Sequence, residues 1–176
     1  MKQLFIILIS TIVLLVACKK EITVRTYGTD TIDNIVYQNV TWFYYGFSFS
    51  QAKLVSTESN PGPDIVLYLN KDDVSSRVTL QANNFLPSFF KIGEYANEDE
   101  AKKAFNDLKT VGVPNQWLGM ADNIAPNQVW VYRSDKDRYT KIRIIKTEFE
   151  KLSETVTIGK SEFQWVHQPD GTVNFP

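Results

Sequence analysis

Alternation of side-chain type with a period of two residues constrains the fold of this chain more than any other feature. Between residues 43 and 50 the aromatic residues Phe43, Tyr45, Phe47 and Phe49 share one parity, and the small residues Gly46, Ser48 and Ser50 share the other. A strand places successive side chains on opposite faces, so this pattern predicts a sheet with one buried face. Because the same alternation recurs along the chain, sheets should dominate the fold.

Several further strands follow from the same reasoning. The run from Ile65 to Leu69 is apolar on both faces, which predicts a central strand. Residues 129–133 and 138–146 flank a short polar turn and predict an antiparallel hairpin. Residues 155–158 and 162–167 predict a second hairpin turning at Gly159 and Lys160, and residues 28–34 predict a turn or loop.

One segment has helical spacing instead. Asn97 can cap a helix whose first turn is acidic, and Gly112 and Pro114 can end it. Its apolar residues lie on one stripe, consisting of Ala101, Ala104, Phe105, Leu108 and Val111. The expected fold is therefore all-β, with mainly antiparallel sheets and one amphipathic helix near residues 97–111.

The N-terminal segment has the features of a bacterial lipoprotein signal. An apolar stretch from Leu4 to Val16 follows Lys2 and is shorter than the roughly 20 residues of a membrane span. It ends in Leu15-Val16-Ala17-Cys18, which resembles a lipobox, where cleavage precedes a cysteine that then carries lipid. We expect a signal peptide at 1–17, a lipidated anchor at 18–21 and one β-rich domain at 22–176. The alternative is an ordinary signal peptide or a short anchor helix with an incidental cysteine.

Composition excludes several classes of function. The formal net charge is −1 and no basic cluster occurs, so a nucleic-acid partner is not expected. The chain has one histidine and one cysteine, too few for the usual Cys/His sets of structural zinc sites, for a redox dithiol or for iron–sulfur ligation. Phosphate-binding, dinucleotide-binding and metalloprotease motifs are also absent from the sequence. We therefore expect a protein without enzymatic activity.

Two blocks in the last third of the chain resemble a known family. Residues 129–133 with 138–144, and residues 163–171, are similar to the haemophore lipoproteins typified by HmuY. Upstream, residues 47–50 and 63–66 look like the first conserved strand of that family and its Trp-Asp-Ile strand. Two departures are Lys136-Asp137, where the family often has Asp-Gly, and Pro63 in place of the tryptophan before Asp64.

This resemblance covers about half of the mature chain and carries functional expectations. It implies antiparallel sheets, lipid attachment to the outer membrane and binding of haem or a related porphyrin at the cell surface. Members of the family hold the iron between two side chains on loops, either a histidine pair or methionines. A histidine pair cannot form here, so His167, Met120 and the tyrosines remain as axial ligands.

Each candidate ligand-binding residue also has a structural interpretation. His167 shares strand parity with Phe163 and Trp165, which predicts that it points to the packed side and makes a structural hydrogen bond. Trp117 and Met120 lie in an expected loop, residues 113–128, that contains two prolines and one glycine, so they either pack under the loop or line a pocket.

Two functions from different classes fit these observations. The first is a lipid-anchored binding protein for haem, a porphyrin or another flat apolar ligand, serving iron acquisition. The second is a surface lipoprotein that binds a protein partner, such as an outer-membrane transporter, and has no haem site. In both, lipid on Cys18 anchors the chain to the cell envelope, most simply at the outer membrane.

Overall fold

The computed structural model describes residues 24–37, 40–71, 76–112 and 114–176, which form two antiparallel sheets and one helix. The predicted all-β fold with a single helix is thus confirmed. The strands are β1 (Tyr27–Tyr37), β2 (Val40–Trp42), β3 (Tyr45–Ser48), β4 (Lys53–Ser56), β5 (Ile65–Lys71), β6 (Ser76–Ala82), β7 (Phe89–Glu94), β8 (Met120–Ala121), β9 (Gln128–Arg133), β10 (Tyr139–Lys151) and β11 (Val156–Gln168). Helix α1 spans Glu98–Asp107.

The two sheets pack face to face around an aromatic core. One sheet has the order β2-β1-β11-β10-β9-β7 and the other β4-β3-β5-β6-β8. Phe47 from the smaller sheet makes edge-to-face contacts with Phe163 and Trp165 of the larger one, with ring centroids 5.4 and 5.5 Å apart. All three side chains are fully buried, so these rings fix how the sheets sit against each other.

Helix α1 packs on the outer face of the six-stranded sheet. The buried Lys141 of this sheet lies at the C-terminal end of the helix. Lys141 Nζ donates to the carbonyl oxygens of Phe105 and Leu108 at 2.9 and 3.0 Å. These carbonyls lack partners inside the helix, and the helix dipole favours a cation there. Burial nevertheless lowers the pKa of Lys141 to about 8.

The helix begins as predicted but ends at Asp107 rather than Val111. Asn97 caps it, accepting a hydrogen bond from the Glu100 N–H at 3.0 Å. Beyond its end the chain pairs with the C-terminus, because the Val111 N–H donates to the Val173 carbonyl at 2.9 Å. This pairing needs extended backbone, and it overrides the helical spacing that includes Val111.

Two sequence predictions about strands were wrong. Residues 28–34 belong to β1 and pair with β11 along their whole length, so no loop occurs there. Gly159 lies within β11, which runs unbroken from Val156 to Gln168, so the second hairpin does not form. A Cβ on Gly159 would overlap the buried Leu69 side chain. Close packing, and not a turn, therefore explains why residue 159 is a glycine.

The predicted signal peptide and lipidated anchor lie outside the described residues, as does Cys18. Within the described part of the chain, no helix is long and apolar enough to cross a membrane.

Candidate functional site

A polar cleft of about 310 Å³ opens at one end of the sandwich, where four connections meet. Its walls come from the β3–β4, β4–β5, β6–β7 and β9–β10 connections, through Ser50 and residues 60–64, 83–84, 134–136 and 138. Tyr132 and His167 line it from the ends of β9 and β11. The sheets therefore supply a rigid base and the connections supply the rim, a common arrangement for binding sites.

Asp64 and Tyr132 form one side of this cleft. The Asp64 carboxylate accepts a hydrogen bond from the Phe49 N–H at 2.7 Å, while burial raises its pKa above the ordinary value. The Tyr132 hydroxyl donates to the Asp64 backbone carbonyl at 3.3 Å. Burial, with the nearby charge of Asp64, raises the pKa of Tyr132 well above its usual range, so this hydroxyl stays protonated.

His167 is held in one orientation and keeps one ring nitrogen unpaired. Its Nδ1 lies 2.8 Å from the hydroxyl of Thr140, and its ring stacks on Phe49 with centroids 6.2 Å apart. The side chain is only 5% exposed, and Nε2 has no hydrogen-bond partner among the described residues. Burial, reinforced by the charge of Arg138, lowers the pKa of His167 to about 4, so the imidazole is neutral at pH 7.

The other two predicted ligand residues lie elsewhere. Trp117 packs on the outer face of the six-stranded sheet against Phe90 and Tyr139, and the Arg133 guanidinium lies 4.5 Å from its ring centroid. Met120 lies in β8 opposite Gln81, at the edge of the five-stranded sheet. The cleft that His167 lines includes neither of them. The structure therefore does not bring His167, Met120 and Trp117 into one site.

Met120 is instead one of four exposed apolar residues on neighbouring segments, here named the Met120 patch, which are Phe85, Leu86, Leu118 and Met120. Between 42% and 74% of each of these side chains is exposed. The segment carrying Leu118 lies against the end of the β6–β7 connection, because Ser88 donates to the Leu118 carbonyl at 2.8 Å. Phe85 has a φ of 60°, which is unusual for a bulky residue and is often found at functional sites.

Sequence reasoning missed both Phe85 and the polar cleft. An apolar Phe85-Leu86 pair directly after two asparagines was a usable signal, because loops at a surface are ordinarily polar. The cleft left no local signal, since its residues come from connections that are far apart along the chain.

A comparison with protein-family models and a search of curated proteins found no match to this chain. The resemblance to HmuY-like haemophores therefore stays a prediction. Among the described residues, no cluster of three or more His, Cys, Asp or Glu side chains could hold a metal ion.

Proposed function

We propose that this chain is a lipid-anchored binding protein of the cell envelope that holds haem on the Met120 patch. The observation that carries the proposal is that Met120 is 42% exposed, in a segment that lies beside the β6–β7 connection and its exposed Phe85 and Leu86. Several large exposed apolar residues on neighbouring segments favour a binding surface. The sequence blocks that resemble the HmuY-like haemophores indicate haem as the class of ligand.

The residues of the patch fit haem with one protein ligand. Haem iron already has four porphyrin nitrogens, and methionine sulfur is an established axial ligand that raises its reduction potential. Phe85, Leu86 and Leu118 would cover apolar parts of the macrocycle, and Met120 would hold the iron. His167 does not fit as a second ligand to the same haem, because it lines a different, polar cleft that includes no residue of the Met120 patch.

Such a protein binds and releases its ligand without transforming it. Its role in iron acquisition would be to keep haem at the membrane and pass it to an outer-membrane transporter. A single thioether ligand suits this role, since weaker attachment than a histidine pair permits transfer.

A haemin titration of the mature protein, followed at the Soret band in the oxidised and reduced states, tests the proposal. We expect a Soret shift with micromolar affinity, about −8 kcal/mol. Met120→Leu keeps the apolar volume but removes the sulfur, so it should abolish the reduced-state signature of thioether ligation and weaken binding about tenfold.

Two serine variants distinguish haemin binding at the Met120 patch from nonspecific binding to any exposed apolar residue. Leu118→Ser should weaken haemin binding, whereas Leu152→Ser, at a leucine that is 53% exposed in the β10–β11 connection, should not. Absence of a Soret shift at tens of micromolar haemin would overturn the haem proposal. The Met120 patch would then favour the second function, contact with a protein partner.

A further inference from the structure

The unpaired nitrogen of His167 is the least expected feature of the polar cleft. Buried polar atoms in folded proteins are almost always hydrogen-bonded, to protein or to a ligand or water. Nε2 of His167 has no such partner among the described residues, although Thr140 orients the ring from the other side. The side chain is more than nine-tenths buried and belongs to the lining of the cleft, so a ligand held there would lie against His167.

The chemistry of the lining indicates what that group is. Two acidic side chains, Asp64 and Asp135, are balanced by two basic ones, Lys136 and Arg138, so the cleft has no formal charge to select an anion or a cation. The remaining polar lining includes the amides of Asn60, Asn83 and Asn84 and the hydroxyls of Ser50 and Ser134. Amides both donate and accept hydrogen bonds, while the carboxylates accept and the basic groups donate.

A ligand rich in hydroxyl groups matches this mixture. Each hydroxyl donates one hydrogen bond and accepts others, so it can pair with a carboxylate, an amide or a guanidinium. A hydroxyl also pairs with His167 Nε2 in either tautomer of the ring. The volume of about 310 Å³ lies at the small end of the roughly 300–1,000 Å³ range of small-molecule sites.

We propose that the polar cleft is a binding site for a neutral sugar, accommodating one or two rings with a hydroxyl group directed at His167 Nε2. This inference does not depend on haem binding, because none of the four residues of the Met120 patch lines the cleft.

The single histidine of the chain makes a specific reporter for this site. The mature protein would be mixed with glucose, galactose, mannose, N-acetylglucosamine, maltose or lactose at about 20 mM, enough to detect millimolar affinity. Saturation-transfer NMR would report contact with each sugar, and long-range proton–nitrogen spectra would report the His167 ring. We expect at least one sugar to receive saturation and to shift the His167 Nε2 resonance, and neither inorganic phosphate nor Ca²⁺ to do so.

Variants locate the contact. Asn83→Ala and Arg138→Gln should each weaken sugar binding at least threefold, whereas Asn106→Ala, at an exposed position on α1, should leave it unchanged. The proposal is overturned if no sugar in the panel moves the His167 resonance, if only phosphate or Ca²⁺ moves it, or if Asn83→Ala and Arg138→Gln both bind as the parent does. Loss of haemin binding in the Met120 variants would not change any of these results.

Discussion

At the scale of single residues, His167 should make the stability of the domain depend on pH. Its pKa is about 4 in the folded chain, against 6.5 for the ordinary side chain, because burial disfavours the imidazolium. Between these values the unfolded chain binds more protons than the folded one. The free energy of unfolding should therefore fall as the pH is lowered from about 6.5 to about 4, by roughly 3 kcal/mol from this group.

The measurement is urea unfolding across pH 4.5–7 for the parent and for His167→Gln, which keeps a polar side chain without a titrating ring. Carboxylates contribute equally to both proteins, so the difference in slope reports His167 alone. A parallel pH dependence in the two proteins, or an NMR titration with a pKa near 6.5, would contradict the prediction.

Sequence parity was a good guide to single residues in β11 but not at the start of β3, where Tyr45 shares parity with the buried Phe47 and is 57% exposed. It correctly placed His167 on the packed side with Phe163 and Trp165, all of them buried. It could not show that Thr140 holds the ring, because their strands pair in a register that only the folded sheet defines. Nor could it show that Met120 and His167 lie beside different surfaces, which depends on where two separate connections go.

At the scale of secondary-structure elements, Gly159 should be a sensitive position in β11. A methyl group there would overlap the Leu69 side chain, which is fixed in the core between the sheets. We expect Gly159→Ala to lower the free energy of unfolding by about 1–3 kcal/mol, as overpacking does in other cores. Urea unfolding at pH 7 measures this effect.

Gly112→Ala is the matched control, since nothing lies within 4 Å of the Cβ that it would add. Its effect should stay within about 0.5 kcal/mol. Equal effects of the two substitutions would show that Gly159 is not held against Leu69.

The bounds of some elements are set by neighbouring residues in the sequence, and those of others by contacts with residues far away along the chain. The central position of β5, the β9–β10 hairpin and the start of α1 were predicted correctly, since apolar runs, turns and caps are local signals. The uninterrupted β11 and the early end of α1 were not. Their causes are contacts with Leu69 and with residues near the C-terminus, which lie far away along the chain.

At the scale of the whole molecule, both candidate surfaces lie toward the end of the sandwich where the described chain begins. The backbone carbonyl of Thr26 accepts a hydrogen bond from the His167 N–H at 2.7 Å, beside the polar cleft. Met120 lies opposite Gln81, next to the last residue of β6, whose following connection also lines the cleft. Eight Cα–Cα steps join Cys18 to Thr26 and span at most about 29 Å when the chain is extended. Lipid on Cys18 would therefore keep the polar cleft near the bilayer.

If lipid on Cys18 anchors the chain and the β-rich domain binds the ligand, a change at Cys18 should affect membrane attachment alone. Cys18→Ser removes the sulfur that would carry lipid, so the protein should leave the detergent phase and stop incorporating labelled fatty acid. Thr11→Ser, inside the apolar stretch, leaves the lipobox intact and should behave like the parent. Because the described strands and the Met120 patch do not include residue 18, the purified Cys18→Ser protein should keep the strand-dominated circular dichroism and haemin affinity of the parent. Unchanged partitioning of Cys18→Ser would show that some other feature holds the chain at the membrane, and the bound on the distance between bilayer and cleft would no longer apply.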